Sequence, residues 1–295
     1  SQQVNTKRFC RFGYVQCRVL ASSMTTWHPG LYIVATPIGN LGDLSPRAAE
    51  ALRRAALIAA EDTRTSGTLV RSTGSQARMV SLTEHNVDER IPQILPAARD
   101  GVVALVCDAG TPAIADPGAR LVAAAHREGI RVFAVPGPSA LAAALSVSGF
   151  DGPGAHFLGF LPRQKGERTR ALRQALGGAA SVVVFFESPG RLAATLLELA
   201  EIHGDPETVV CRELTKLHEE VVRGRASLLA QHFEGARGEC VVVIQPNPAS
   251  IDGSAVVPLV AAMKRAGARR SSAAAEVARL TGCPREDAYA AWEDV

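Results

Sequence analysis

The stretch VCDAGTPAIADPG at residues 106–118 decides the fold of this chain. It continues the apolar run GVVALVC at 101–107 and then places two acids, two prolines and two glycines close together. An apolar run that ends in such turn residues predicts a buried strand followed by a rigid loop. Because ligands of open α/β sheets bind beyond the carboxyl ends of strands, we expect this loop to face a cofactor.

Further apolar runs alternate with helical patterns on both sides of that loop. The predicted strands of the first half are LYIVAT at 31–36, ALIAA at 56–60, ARMVSL at 77–82 and IRVFAV at 130–135. This alternation predicts a parallel sheet with right-handed crossovers. Later in the chain, the runs TVVCREL, EEVVRG and ECVVVI have only short connections between two of them, which favours a mixed second sheet. The predicted fold class is α/β, with two α/β domains and a small helical C-terminal tail.

Shifts in composition set the predicted domain limits. They are a disordered N-terminal extension over 1–29, α/β domains over 30–137 and 138–246, a linker over 247–254 and a helical domain over 255–295, with helices near 255–266, 271–281 and 284–292. The extension is basic and has no acid, which is typical of a transit peptide, of an arm that contacts RNA, or of sequence upstream of a true start at Met24. The segment 87–99 has a helical pattern, but Pro92 and Pro96 predict a kink or two short pieces.

Composition and charge exclude several classes of protein. The chain of 295 residues is 47% hydrophobic and 21% charged, as in soluble globular proteins, and we expect it to be cytoplasmic. No apolar stretch approaches the roughly 20 residues of a membrane span. The net charge is only +3, so any contact with nucleic acid depends on local basic patches. Six cysteines form no CxxC pair, and no His, Asp or Glu cluster has metal-ligand spacing; we therefore expect buried free thiols and no metal.

Several charged segments each allow two interpretations. The run Glu61-Asp62-Thr63-Arg64 is either part of a site or a helix start, where acids complement the helix dipole. The basic segment 163–170 is either a solvated surface loop or a contact to phosphates. The arginines near 265–270 either contact RNA or belong to a packed helical unit. Asp116, which precedes a Pro-Gly pair, is typical of a turn residue.

Seven motifs together resemble one family. They are TPIGNLGD (36–43), AAEDTR (59–64), DAGTPAIADPG (108–118), VPGPSA (135–140), GFLPR (159–163), ESPGR (187–191) and RELTKLHEE (212–220). In this order they closely resemble the small-subunit ribosomal RNA 2'-O-methyltransferases that modify a cytidine ribose, a family of the tetrapyrrole methylase (class III methyltransferase) superfamily. The resemblance covers about Leu31 to Ile244. The motifs EDTR, GFLPR and RELTKLHEE favour the RNA branch over the tetrapyrrole branch.

The resemblance implies a cofactor, partners and a set of contacts. It implies two α/β domains with S-adenosyl-L-methionine in the cleft between them, a homodimer, and 16S rRNA or the 30S subunit as substrate. Carried over by position, the implied cofactor contacts are Pro37, Ala109, Gly110, Thr111, Ile114, Ser139, Ala140, Glu187 and Leu214. The contacts around residue 110 are expected to be made largely by backbone groups.

The chemistry of methyl transfer narrows the catalytic candidates without choosing among them. Transfer from a sulfonium needs no metal, but a ribose hydroxyl is weakly acidic and calls for a base or an electrostatic stabiliser. The candidate catalytic residues are Glu61, Asp62, Arg64, Glu213, Lys216 and Glu219. The candidate RNA contacts are Arg163, Lys165, Arg168, Arg170, Arg269 and Arg270. A tetrapyrrole methyltransferase is the alternative on the same fold, and a nucleotide-binding oxidoreductase is the alternative from another class.

Overall fold

Strand β4 (Val102–Val106) is the central strand of a parallel sheet. The structure is a computed structural model and describes residues 26–152, 154–177, 181–246, 256–281, 283–293 and 295. The other strands of this sheet are β1 (Gly30–Val34), β2 (Leu57–Ala60), β3 (Arg78–Ser81) and β5 (Val132–Val135). The order is β3-β2-β4-β1-β5 and every pairing is parallel, which confirms the predicted sheet.

Helices cover both faces of the first sheet, as a parallel sheet requires. They are α1 (Pro46–Arg54), α2 (Thr63–Ser72), α3 (Val87–Asp100) and α4 (Gly118–Arg127), with a 3-10 turn at Leu41–Asp43. Helices α1 and α2 bury one face of the sheet, and α3 and α4 bury the other. Ser45 caps α1, because its side chain accepts a hydrogen bond from the Ala48 N–H.

Helix α3 continues through both of its prolines, so the expected division into two short pieces is wrong. Pro92 and Pro96 are exposed, whereas Ile94 and Leu95 are buried. The carbonyl groups that lose a helical partner at each proline therefore lie toward solvent, where water satisfies them. Packing of the apolar face holds the helix together despite the missing hydrogen bonds.

The second sheet is mixed, as predicted. Its strands are β6 (Ala155–Phe160), β7 (Val182–Glu187), β8 (Glu207–Arg212), β9 (Glu220–Arg225) and β10 (Cys240–Ile244). The order is β6-β7-β10-β8-β9; β6 and β7 are parallel, and the other pairs are antiparallel. The helices are α5 (Ala140–Ser148), α6 (Lys165–Leu176), α7 (Pro189–Ile202) and α8 (Ala226–His232). Helix α8 spans seven residues, too few for a periodic pattern to reveal it in the sequence.

The two faces of the second sheet have different neighbours. Helices α6, α7 and α8 pack on one face around Phe185. Helix α5 packs on the other face, where Ala144 contacts a core that also contains Ile38 from the first domain. Ile38 follows β1, so a loop of the first sheet inserts directly into the core of the second. This second face therefore borders the junction between the domains, and we call it the cleft face.

The C-terminal tail folds as three short helices, which confirms that prediction. They are α9 (Val256–Arg265), α10 (Arg270–Thr281) and α11 (Arg285–Ala290), packed around a core of their own. The predicted linker lies outside the described residues, and so does the predicted extension except for 26–29. There Trp27 packs against Tyr32 with ring centroids 5.1 Å apart, so the packed part of the first domain begins before residue 30.

Three of the cysteines are buried free thiols in or beside strands. Burial raises the pKa of Cys107 and of Cys211 to about 12, and that of Cys240 to about 11, so all three are protonated and unreactive at neutral pH. Cys10 and Cys17 lie outside the described residues. Among the described residues, no helix has both the length and the apolar character to cross a membrane.

Candidate cofactor and catalytic cleft

Three loops at the carboxyl edge of the first sheet are joined by hydrogen bonds. Thr36, after β1, exchanges two backbone hydrogen bonds with Gly110, after β4, at 2.9 and 3.1 Å. Thr111 donates its side-chain hydroxyl to the carbonyl of Pro138, after β5, at 3.0 Å. We call these loops, residues 35–43, 107–118 and 136–139, the shelf loops. Their mutual hydrogen bonds fix a backbone surface before any ligand arrives.

Gly110 occupies the point where the three shelf loops meet. Its φ is +85°, and a Cβ atom there would lie 3.3 Å from Cγ2 of Ile38 and 3.8 Å from the carbonyl of Pro138. Any other residue would strain the backbone and crowd the neighbouring loops. The backbone N–H groups of Ala109 and Thr111 have no hydrogen-bond acceptor within the described chain, and Ala109 is exposed. These groups are available to a ligand.

Asp116 shapes the same loop and confirms the interpretation as a turn residue. Its carboxylate accepts hydrogen bonds from the N–H groups of Ala113 (2.8 Å) and Gly118 (2.8 Å). Ala113 has a φ of +67°, an uncommon conformation for a residue with a side chain, and the Asp116 contact holds it there. Asp116 therefore sets the loop geometry.

The neighbouring strands β2 and β4 are both followed by carboxylates, which lie close together. Asp108 accepts a hydrogen bond from the Asp62 N–H at 3.1 Å. Burial, together with the charges of Asp108 and Asp116, raises the pKa of Glu61. Burial raises the pKa of Asp108 as well. We call Glu61, Asp62 and Asp108 the acidic edge.

The rest of the EDTR motif builds the start of helix α2. Asp62 is the N-cap and accepts a hydrogen bond from the Arg64 N–H at 2.7 Å. The Arg64 guanidinium also bonds the same carboxylate at 2.9 Å, and these hydrogen bonds lower the pKa of Asp62 to about 2. The helix-start interpretation is therefore confirmed for Asp62, whose low pKa makes it a poor base. Arg64 is exposed.

The β8–β9 loop, residues 213–219, faces the shelf loops from the second domain. A Cβ atom on Gly39 would lie 2.3 Å from Cγ of Lys216, so the two loops touch. Lys216 binds Glu213 at 2.8 Å and Glu239 at 3.0 Å. Hydrogen bonds from Lys216 and from the Glu239 N–H lower the pKa of Glu213. This loop brings predicted catalytic residues to the cleft, but as members of ion pairs.

Glu219 closes the β8–β9 loop on itself. Its carboxylate accepts a hydrogen bond from the Thr215 N–H at 2.6 Å. Thr215 has a φ of +68° and Glu213 a φ of +52°; a left-handed conformation is strained for a β-branched residue such as threonine. The structure thus gives Glu219 a local partner that preserves this strained loop.

A small cavity lies at the domain junction beneath these loops. Its lining residues are Ile38, Ala140, Cys211, Leu214, Glu239 and Val241. Two of the predicted cofactor contacts, Ala140 and Leu214, are among them. Ser139 caps α5 beside it, Pro37 is half-buried, and Ile114 is exposed at the far end of the second shelf loop. The sequence did not predict Ile38 and Glu239 as site residues, because no local pattern marks a residue that contacts the other domain.

The side chain of Glu187 does not reach the cleft surface. It is fully buried and binds Arg191 at 2.5 Å, Thr195 at 2.9 Å and the Ser188 N–H at 2.7 Å. All of these partners lie in the turn from β7 into α7 or in α7 itself. The carboxylate thus braces the start of α7, and a contact of Glu187 to the cofactor stays a prediction.

The basic segment 163–170 is corrected in two respects. It is not a loop, because helix α6 begins at Lys165. Arg168 is not at the surface; its side chain is 9% exposed and its guanidinium pairs with the buried carboxylate of Glu198 at 2.6 Å. An unpaired charge at that depth would be costly, so Arg168 is bound to its partner and is not free for RNA. Arg163, Lys165 and Arg170 are exposed.

Arg269 and Arg270, the two RNA contacts predicted in the tail, also differ in whether the charge is paired. Arg270 pairs with Glu293, donates to the Tyr289 carbonyl at 3.0 Å, and lies over the Tyr289 ring. Arg269 is exposed, and its guanidinium has no partner among the described residues. Arg270 thus holds α10 to α11, and Arg269 is the one available to a partner.

Comparison with known proteins identifies the class of this chain. The family model of tetrapyrrole (corrin/porphyrin) methylases matches residues 30–230. The chain belongs to this family and is a methyltransferase, which confirms the family predicted from the motifs.

Within that family, the chain is similar to proteins named ribosomal RNA small subunit methyltransferase I. The relative from Thermotoga maritima is 48% identical over 72% of this chain and 97% of its own length. The relative from Mesorhizobium japonicum is 42% identical over 88% of this chain and 90% of its own. A solved structure of uroporphyrin-III C-methyl transferase from Thermus thermophilus, complexed with S-adenyl homocysteine, has a TM-score of 0.53 and 21% identity over 73% of this chain and 96% of its own. At that identity the structure shows the shared fold.

Proposed function

We propose that this methyltransferase uses S-adenosyl-L-methionine to methylate the 2'-oxygen of a cytidine ribose in 16S rRNA of the small ribosomal subunit. The observation that carries the proposal is the junction of the three shelf loops at Gly110, directly beside the acidic edge. The names of the relatives, which specify small-subunit ribosomal RNA, supply the substrate class.

The shelf loops fit the proposed cofactor. A preformed backbone surface with free N–H groups at Ala109 and Thr111 suits polar groups of a nucleoside-like ligand, and Ile38, Ala140 and Leu214 offer an apolar floor. The acidic edge favours a ligand that carries positive charge. S-adenosyl-L-methionine supplies a methyl group on a positively charged sulfur, which becomes neutral when that group leaves.

Glu61 is the residue we assign as proton acceptor. As the ribose oxygen bonds to the methyl carbon, the hydroxyl proton must leave, and a carboxylate with a raised pKa accepts it better than an ordinary one. The pKa of Glu61 is raised, whereas the pKa values of Asp62 and Glu213 are lowered by their cationic partners. Among the candidate acids with a shifted pKa, Glu61 therefore has the electrostatic setting of a base.

The remaining candidates hold the substrate and the loops. Arg64 is exposed at the edge of the cleft and suits a contact to an RNA phosphate. Lys216 and Glu219 keep the β8–β9 loop in its strained conformation, so we assign them a positioning role. Arg163, Lys165, Arg170 and Arg269 are the surface cations that we retain as RNA contacts. The homodimer and a cytoplasmic location stay predictions.

A methyl-transfer assay with three acceptors tests this function. S-adenosyl-L-methionine with a tritiated methyl group is offered with unmethylated 30S subunits, naked 16S rRNA, or a tetrapyrrole. We expect label in 16S rRNA, in 30S subunits or in the naked RNA. The label should survive in an alkali-resistant dinucleotide, because a 2'-O-methyl group blocks the hydroxyl that alkaline cleavage needs. Label only in the tetrapyrrole, or only in alkali-labile nucleotides, would overturn the proposal.

A thermal-shift measurement distinguishes the cofactor. S-adenosyl-L-methionine should raise the melting temperature, and NAD should leave it unchanged, because only a ligand that binds the folded state stabilises it. Stabilisation by NAD alone would favour the oxidoreductase alternative instead.

A further inference from the structure

Phe160, the last residue of β6, is a large aromatic side chain left open to solvent. It is 62% exposed and follows Gly159 in the GFLPR motif. Single exposed apolar side chains are common on protein surfaces, so the case for a role depends on where this ring lies and what surrounds it. The ring is also held in place, because its centroid lies 5.3 Å from that of Phe186 in an edge-to-face arrangement.

A β-bulge places Phe160 on the cleft face. In a regular strand, side chains alternate, so Phe160 would share a face with Leu158, which packs against the core on the opposite side. The pairing runs from Phe157 opposite Val184 to Phe160 opposite Phe186, which leaves one extra residue in β6. Gly159, with a φ of +65°, takes up that extra residue. Phe160 therefore lies on the same face as Phe157.

The register of the second sheet connects Phe160 to the domain junction. Phe160 pairs with Phe186, Phe186 with Val241, and Val241 with Cys211. Val241 and Cys211 line the cavity between the domains. Two strand spacings, about 10 Å, separate Phe160 from Val241. The ring thus stands at the outer end of a row that leads directly to the candidate cofactor site.

Exposed cations follow Phe160 along the chain. Arg163 and Lys165 come three and five residues later, both are exposed, and their charged groups have no partner among the described residues. Proteins that bind single-stranded nucleic acids combine aromatic rings, on which bases stack, with cations that contact the phosphates.

We propose that Phe160 is a stacking platform for a base of the single-stranded rRNA segment that enters the cleft. This inference rests on the proposed function and deepens it, because it names the residue that holds the RNA beside the reacting ribose. Ring and base meet face to face, and the phosphates on either side reach Arg163 and Lys165. Phe160 is a positioning residue: it touches substrate RNA away from the reacting atoms.

The test compares three variants in methyl transfer to unmethylated 30S subunits. Phe160→Ala should raise KM for the subunits by about 5- to 150-fold, the range that follows from losing one stacked base. Phe160→Tyr, which keeps the ring, should restore KM to within about twofold of the wild type. Leu228→Ala is the matched control, because Leu228 is 60% exposed on α8, which packs on the opposite face of the same sheet.

Three further readouts separate stacking from a structural role. Phe160→Ala should leave the Kd for S-adenosyl-L-methionine and the sedimentation coefficient unchanged. Its melting temperature should fall only slightly, because the edge-to-face contact with Phe186 is lost. Wild-type KM in Phe160→Ala would overturn the proposal while the proposed function stands. A changed sedimentation coefficient would also overturn it, since the ring would then belong to a contact between protein chains. A wild-type protein that methylates no rRNA at all would overturn the proposed function itself.

Discussion

The two sides of the cleft carry their glutamates in opposite electrostatic settings. On the first domain, Glu61 and Asp108 lie near each other and near Asp116, and burial together with mutual repulsion raises the pKa of Glu61. On the second domain, Glu213 binds Lys216 and Glu220 binds His232 and Arg212, and these contacts lower the pKa of both acids. The glutamate of the first domain is thus the better proton acceptor, whereas the glutamates of the second domain are held ionised by cationic partners.

This difference shows how the work is divided between the domains. The first domain presents backbone groups and a basic carboxylate, so we assign it cofactor binding and proton transfer. The second domain presents ion pairs and an exposed ring, so we assign it the positioning of RNA. Charged side chains that pair with each other hold a loop in place but give up the free lone pairs that a base needs.

Glu61→Gln should produce the largest effect. Loss of a positioned base typically costs about 10²- to 10⁴-fold, so kcat should fall by that order. The Kd for S-adenosyl-L-methionine should rise far less, because Asp62 and Asp108 keep most of the charge of the acidic edge. Glu213→Gln, the matched change on the other side, should lower kcat by less than about tenfold. Steady-state rates on 30S subunits measure both. Equal losses in the two variants would remove the proposed difference between the sides.

The pH dependence follows from the same raised pKa. Wild-type kcat should fall as pH drops through the pKa of Glu61, which lies above the ordinary glutamate value, and Glu61→Gln should lack this acidic limb. A raised carboxyl pKa also means that the fold favours the protonated form. That stabilisation is lost as pH rises through the folded-state pKa, so Glu61→Gln should melt at a higher temperature than wild type at pH 7. A lower melting temperature of Glu61→Gln would contradict a raised pKa at Glu61.

Gly110→Ala should weaken cofactor affinity by less than Glu61→Gln slows turnover. The added Cβ meets Ile38 and the backbone must keep a φ of +85°, so we expect the Kd for S-adenosyl-L-methionine to rise about tenfold. Gly129→Ala is the control: its φ is +65°, but no atom lies within 4 Å of the new Cβ. Calorimetric titration of both variants separates the crowding of the shelf loops from general backbone strain. Unchanged affinity in Gly110→Ala would argue against the shelf loops as the cofactor site.

Glu219→Ala and Arg64→Ala should have the smallest effects. Each removes contacts at the cleft surface, so turnover should fall severalfold while cofactor binding is kept. Arg279→Ala removes a comparable exposed contact to Glu276 in α10 and should leave turnover unchanged. Methylation rates at saturating cofactor measure all three. Wild-type rates in both Glu219→Ala and Arg64→Ala would remove these residues from the site.

The sequence predicted the architecture well because local chemistry dictates it. The run before Asp108 is apolar and short, and its turn residues force the chain out of the sheet, so β4 and the loop after it could be predicted without a structure. The N-cap at Asp62, the turn role of Asp116 and the start of α7 at Pro189 follow from the same local rules. Of the two outcomes predicted at Pro92 and Pro96, the division into two pieces is wrong, because packing of the α3 apolar face outweighed two missing hydrogen bonds; a kink stays a prediction.

Pairing of charges was beyond the reach of the sequence. Arg163 and Arg168 look alike in the printed chain, yet one is exposed and the other is buried against Glu198, thirty residues later. Glu61, Asp62 and Glu213 likewise look like equivalent acids. Their different pKa values depend on neighbours brought together by strand order, which a linear pattern does not contain.

By itself, the sequence determined the α/β class and the family. It also predicted that the loop VCDAGTPAIADPG faces a cofactor. These depend on turn residues and hydrophobic periodicity, which act over a few residues. Only the tertiary structure decided that the pKa of Glu61 is raised, that Glu187 braces a turn, and that Phe160 lies on the cleft face. Each of these depends on burial, on charges from other strands or on a single bulge, and such effects exist only once distant segments are packed together.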